Sequence, residues 1–342
     1  MAYSQSSPTA HYPHLIRSTR ASLSSLRVSA DLRERKAPLL IQSEYDIQFY
    51  LTHPTPIVAL LHLHPKHTAH LATVSGIDAD DRFHAEQLGP NRELLQNIPV
   101  DEYLDSFGNL CSRFLAPAGA LRLHGRNILT ADDFPELQGF NLPQTPVELL
   151  PTETLQFLLA SRYCEVDLFG SIAHDLFGHL GTGWSLAASI RDWVHEKVAF
   201  DYNKARPTMT AMDVFSERIG VCRDYQHLAV TLTRCMKIPA RYVTGYIGDI
   251  RVPYSGAGDF SAWYQIWIGG RWWDMDARHN YARTGRILMA TGRDAADVAI
   301  TTSFGRANLT HFYADSFEID AQGNHVPLVT NFNAPAPPPP TT

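Results

Sequence analysis

A chain of 342 residues predicts two domains rather than one. Its hydrophobic content of 44% and charged content of 19% are those of a globular protein that buries a large core without disulfides. A net charge of −6, from 29 Lys+Arg against 35 Asp+Glu, disfavours nucleic acid as the main partner, because that role calls for a basic face.

The first 40 residues read as a flexible arm, rich in Ser and Arg and free of acids as far as Ser29. The start lacks a charged segment followed by an apolar one, so it is not read as a secretory signal. No apolar run approaches the roughly 20 residues that span a bilayer, and no membrane role is expected. From Tyr45 the chain alternates: Tyr45, Ile47 and Phe49 against Asp46, Gln48 and Tyr50, the period of a strand. Further strands are predicted at Ile57–Leu63, Leu71–Val74, Tyr103–Leu110 and Ala120–Arg126, broken by Gly, Asn and Pro. Residues 41–150 therefore read as a β-rich domain. His62 and His64 share one side of the second strand, with His67 and His70 nearby. No Cys or carboxylate joins them, so a polar solvated face is expected rather than a metal site.

Helical signals take over after Pro151. Thr152–Leu159 has a capping-type start, and Leu186, Ile190, Trp193, Val194 and Val198 recur at helical spacing within Ser185–Val198. A clear helix follows Cys222, with Leu228, Ala229, Leu232, Cys235 and Met236 on one stripe, and it stops before Pro239. Arg241–Tyr246, Ala262–Ile268 and Arg271–Asp276 read as strands, the last two joined by a Gly269-Gly270 turn. Residues 151–330 form the second domain of this scheme, and 331–342 a disordered Pro-rich tail. The four cysteines, Cys111, Cys164, Cys222 and Cys235, form no CxxC pair or zinc spacing, which fits a reducing, cytoplasmic setting.

Gly220-Val221-Cys222-Arg223-Asp224 puts a thiol at a helix start, facing unpaired backbone N–H groups and the positive end of the dipole. The same N–H groups suit the oxyanion of an acyl-transfer intermediate. A buried structural cysteine is the plain alternative. The stretch GVCRDYQHLAVTLTRCMKIPARYVTGY, continued by DFSAWYQIWIGGRWWDMDARHN, resembles the bacterial transglutaminase-like superfamily, a set of candidate cysteine proteases and amidases. YDIQFYLTHPTPIVALLHLHP resembles the β-rich domain that often precedes that core. The resemblance implies an α+β, papain-like fold with the nucleophile helix packed on an antiparallel sheet. It implies a Cys-His-Asp triad, with Cys222 as nucleophile and Asp276 as the carboxylate.

The position of the family's histidine, first in a His-Ala-Trp triplet, holds Ser261 here. A serine hydroxyl does not accept a thiol proton near neutral pH. His279, three residues past Asp276, is the candidate replacement base. His227, five residues after Cys222, lies about 140° round the helix and is read as a packed residue. Trp263, Tyr202 and Asp224 are the candidate substrate contacts. No metal or organic cofactor is implied. The expected function is a cysteine hydrolase or acyltransferase acting on amide or isopeptide bonds of a peptide or protein. The alternative is a catalytically silent domain that binds a peptide or partner protein.

Overall fold

The structure, a computed structural model, describes residues 38–74, 82–253 and 258–327. Nearly all of the predicted arm (1–40) and the whole predicted tail (331–342) lie outside the described residues. The described residues belong to one compact unit beginning at Pro38.

Seven strands come first: β1 (Leu39–Leu51), β2 (Thr55–Ala59), β3 (His84–Leu88), β4 (Leu94–Asn97), β5 (Asp101–Leu104), β6 (Leu110–Ala116) and β7 (Gly119–Ala131). Helices α1 (Thr152–Leu155), α2 (Val166–Phe177) and α3 (Trp184–Lys197) follow. Then come β8 (Ala199–Phe200), α4 (Ala211–Glu217), β9 (Ile219–Gly220) and α5 (Cys222–Cys235). The chain ends in β10 (Ala240–Ile247), β11 (Phe260–Ile268), β12 (Arg271–Met275), β13 (Arg286–Gly292), β14 (Thr301–Ser303) and β15 (Ala307–Ile319).

The sheet that matters most for the site has the order β12-β11-β10-β13 and is antiparallel throughout. Gly269 and Gly270 join β11 to β12 with φ of 61° and 82°, the left-handed pair that a tight two-residue hairpin requires. Tyr264, Ile266, Ile268 and Met275 of this sheet share one core with α2, α3, α4 and α5. Tyr246, Ile287 and Met289 join a second core made with β1, β2, β6 and β7. Both faces are therefore covered, the situation in which strands carry apolar residues on both sides.

The α+β fold with a nucleophile helix on an antiparallel sheet is the one expected. Its sheets do not divide at residue 150, however. β15 pairs with β1 over its whole length, in the order β15-β1-β7-β3-β4, and β14 completes the sheet β14-β2-β6-β5. Several local expectations shift as well. Tyr103–Leu110 is a hairpin rather than one strand, because Asp105 Oδ1 accepts from the N–H groups of Phe107 and Asn109 (2.8 and 2.9 Å) and Gly108 takes φ of 81°. Leu71–Val74 contributes one bridge, Leu71 to Leu129, and no strand. Thr152–Leu159 makes only four α-helical residues before it tightens into a 3-10 turn. The predicted solvated histidine face is absent at His62, which is 6% exposed and lies 2.7 Å from Ser112 Oγ.

α5 is buried around its full girth from Asp224 to Arg234, not along one stripe. Its polar residues find partners inside. Arg234 donates to the carbonyls of Ala240, Leu159 and Arg293 (2.9, 3.0 and 2.6 Å), which ties the helix to the loops on both sides of it.

Candidate active site

Cys222 is the first residue of α5 and is partly accessible. The approach to it is built from two small strands. Phe200 pairs with Gly220 in the parallel β8–β9 ladder, which sets the Phe200 ring two residues from the thiol. Gly220 is required there, since a Cβ would lie 2.6 Å from Asp224 Cβ. Asp224 is fully buried and its Oδ2 accepts from Val221 N–H at 2.9 Å, while Oδ1 pairs with Arg223 Nε at 2.9 Å. Its work is thus to cap the helix that carries the nucleophile, and the expectation of a substrate contact at Asp224 is corrected.

β11 runs alongside. The backbone amide of Ala262 is directed at Cys222, and so is that of Arg223. One helical turn on, Gln226 Nε2 reaches the carbonyl of Ala262 and Asp276 Oδ1, both at 3.3 Å, and its Oε1 accepts from Ala277 N–H at 3.2 Å. Gln226 thereby joins three pieces that are distant in sequence: the helix beginning at Cys222, the strand beginning at Phe260 and the end of β12. Its position four residues after Cys222, on the same helix face, is the local signal that marks it.

Asp276 is buried beneath this junction and fully engaged. Oδ1 also accepts from Arg278 N–H (2.9 Å) and His279 N–H (3.1 Å), while Oδ2 meets His279 Nδ1 at 2.9 Å and Arg286 Nη2 at 3.0 Å. Burial alone would raise its carboxyl. The Arg286 guanidinium and the hydrogen bonds from His279 outweigh burial and hold it well below the usual carboxylate range. His279, the candidate replacement base, has its Nδ1 tied to Asp276 and its ring a fifth exposed.

Ser261 lies opposite Gly245 in the β11–β10 pairing, next to the amide that meets Cys222. No imidazole stands at that position. Burial pushes the Cys222 thiol up. Arg278 pulls it down, the Ala262 amide does likewise, Asp259 pushes it up, and the Arg223 amide again pulls down. Burial prevails, so the helix start does not by itself yield a thiolate. Arg278 and Asp259 are the charges that act most on the thiol, and neither is marked by any sequence pattern used above.

Tyr202 is exposed in a short 3-10 turn and stacks edge-on against Phe200 (centroids 4.8 Å apart). Burial raises the phenol of Tyr202, one of the candidate substrate contacts; Arg278 lowers it, and Cys222 and Asp259 raise it. Trp263 is not a cleft wall. It is 1% exposed, packs with Val243 and Leu288, and donates its indole N–H to Asp274 Oδ1 at 2.6 Å. The reason is the coverage of both sheet faces, which leaves the face opposite α5 no access to the cleft. His227 stacks on Tyr163 (4.9 Å, 7°) and its Nε2 accepts from Ala295 N–H at 3.2 Å, a packed residue as its angle on the helix required.

This placement of a helix-borne thiol against an antiparallel sheet, with a carboxylate at the end of the following strand, belongs to a papain-like fold. Residues 171–277 match the transglutaminase-like superfamily, and the chain carries a domain of that kind. A crystal structure from Cytophaga hutchinsonii, described as a candidate cysteine protease, is similar at 27% identity, covering 83% of this chain and 92% of that one with a TM-score of 0.66. An uncharacterized Mycobacterium leprae protein is 34% identical over 111 residues, which is 31% of this chain and 39% of that relative's length. The match thus spans about two fifths of the curated relative. The periplasmic domain of TgpA from Pseudomonas aeruginosa, at 16% identity over 72% of this chain and 91% of its own, gives a TM-score of 0.32, too distant to inform the site. Among the described residues, no helix is long and apolar enough to cross a membrane.

Proposed function

We propose that the chain is a cysteine-dependent hydrolase or acyltransferase for amide or isopeptide bonds in peptides or proteins, working through a thioester on Cys222. The supporting observation is the joining of Cys222, Ala262 and Asp276 through Gln226, with His279 held on the carboxylate. In the first half-reaction Cys222 Sγ bonds to the carbonyl carbon and the thiol proton passes to His279. The C–N bond then breaks and the amine leaves with that proton. In the second half-reaction water or an amine attacks the thioester, gives a proton to His279, and Cys222 departs to recover it. In this reading the Cys222 backbone N–H holds the developing oxyanion, and the Ala262 amide, which is directed at Cys222, supports it. Four free cysteines favour a reducing, cytoplasmic setting for such chemistry.

Ser261 and the raised thiol favour a second reading, a silent domain that binds a peptide or partner in the same cleft. Incubation with a mixed library of peptide amides, followed by intact-mass analysis after acid quench, separates the two. Turnover with an acyl adduct on Cys222, lost in Cys222→Ala and reduced by roughly 10²–10⁴ in His279→Ala, is expected. Binding without turnover or adduct would establish the silent reading.

A further inference from the structure

Arg278 has no part in the scheme above, yet it is held on three sides. Its backbone N–H donates to Asp276 Oδ1 at 2.9 Å. Its carbonyl faces His195 Nδ1 of α3, also at 2.9 Å. Its guanidinium lies flat over the Phe200 ring, 4.1 Å from the centroid, a cation–π contact that fixes the direction of a long side chain. Phe200 is the residue whose backbone pairs with Gly220, two residues before the nucleophile. The strand ladder therefore fixes Phe200 beside the residue two before Cys222, the Phe200 ring holds the guanidinium on that side, and Arg278 is the charge that acts most on the thiol.

We infer that Arg278 is the electrostatic partner of Cys222, supplying beside the sulfur the positive charge that an imidazolium at position 261 would otherwise provide. This deepens the hydrolase reading, since it assigns a residue to activation of the same nucleophile. Arg278 never transfers a proton, because a guanidinium stays protonated in proteins. It stabilises the thiolate, and the proton of the thiol must leave to another acceptor.

The groups that face the sulfur come from every neighbouring element. They are Arg278 after β12, Asp259 before β11, Tyr202 between β8 and α4, and Tyr242 on β10. Tyr242 is buried and its phenol is pushed well above its ordinary range, so it is neutral at all working pH values. Asp259 opposes Arg278. His279, held on Asp276, is the proton acceptor of the proposed scheme, and Arg223 and Asp224 pair with each other beside the sulfur. Arg278 is therefore the main cation set against burial and Asp259 at Cys222.

The test is the rate of Cys222 carbamidomethylation by iodoacetamide from pH 5 to 11, read by mass spectrometry of the Cys222 peptide so that the other thiols do not contribute. Wild type, Arg278→Gln, Arg278→Lys and Asp259→Asn are compared, with circular dichroism to establish that each folds. A neighbouring opposite charge is worth roughly one to three pH units. We expect Arg278→Gln to move the midpoint up by about one unit or more, Arg278→Lys to restore most of the shift, and Asp259→Asn to move it down. A folded Arg278→Lys distinguishes loss of charge from loss of packing if Arg278→Gln is unstable. Unchanged midpoints in both Arg278 variants, or a Cys222 that never alkylates, overturn the assignment. The assay needs no substrate. If the midpoint moves as expected while peptide amides are not turned over, the assignment of Arg278 stands and the hydrolase reading fails.

Discussion

Replacing Asp276 by Asn changes one oxygen to an NH2 group and keeps the shape. The carboxylate accepts five hydrogen bonds, three on Oδ1 and two on Oδ2. An amide accepts on one oxygen only, so either three donors or two will face a nitrogen that also donates. His279 adapts, because its Nδ1 becomes an acceptor in the other tautomer. Arg286 does not adapt, although it keeps Glu136, whose carboxylate meets its Nε at 3.1 and 2.9 Å. Breaking a buried ion pair costs about 3–5 kcal/mol, and the remaining Glu136 places this case near about 3 kcal/mol. Against a total stability of about 5–15 kcal/mol that is a large fraction, measurable by urea denaturation at pH 7. The acid limb supplies a second readout. Asp276 has a depressed carboxyl, so its stabilisation is fully present above the unfolded value of about 3.9 and is lost as pH falls from there through the folded value. The gap between wild type and variant should therefore narrow below about pH 4. A loss under about 1 kcal/mol at pH 7, or a gap that stays constant into acid, would refute the reasoning.

Ser261→His alone should lower the Cys222 alkylation midpoint only slightly, because alternation turns position 261 to the sheet face away from α5 and Asp276 Oδ2 is already engaged by His279 and Arg286. The double variant Ser261→His/His279→Ala frees Oδ2 and should lower the midpoint by more than the single changes combined; simple additivity would count against this account. Gly245→Ala should destabilise by about 3 kcal/mol or more in thermal or urea unfolding, since its Cβ would strike the Ile287 carbonyl and come within 2.7 Å of Trp263 Cη2. A variant as stable as wild type would mean that the register shift between Thr244 and Gly245 in the β10–β13 pairing relaxes freely.

The parts of the site that are local in sequence were legible from it. A thiol two residues after a glycine at a helix start and a Gly-Gly hairpin each follow from neighbouring residues, whereas Asp276 was reached through the family resemblance. The rest depends on which surfaces meet. Alternation places Ser261, Trp263 and Gln265 on one face of β11, but it does not say that this face packs away from α5 on further β layers, so Trp263 reads as a cleft residue when it is core. His62 fails for a related reason: β2 ends at Ala59, and His62, just beyond it, is buried against Ser112 of β6. Asp224 carried a readable signal, an acid three residues after the helix boundary, and only its nearness to Cys222 drew attention from capping to substrate. Arg278 carried none. Its significance arises from the stacking of Phe200, and that contact depends on a two-residue ladder between separate segments.

The pairing of β15 with β1 has a consequence for how the protein is made. β1 leaves the ribosome early and its partner among the last strands, with Leu40 destined to lie opposite Ile319. At about 5–20 residues per second the wait is on the order of tens of seconds, far longer than a hairpin takes to form. Throughout that interval one edge of β1 remains available to any other extended chain. Yield in a cell should therefore depend on chaperones that shield nascent strands, and it should respond to translation speed between β7 and β15 more than to any change at Cys222.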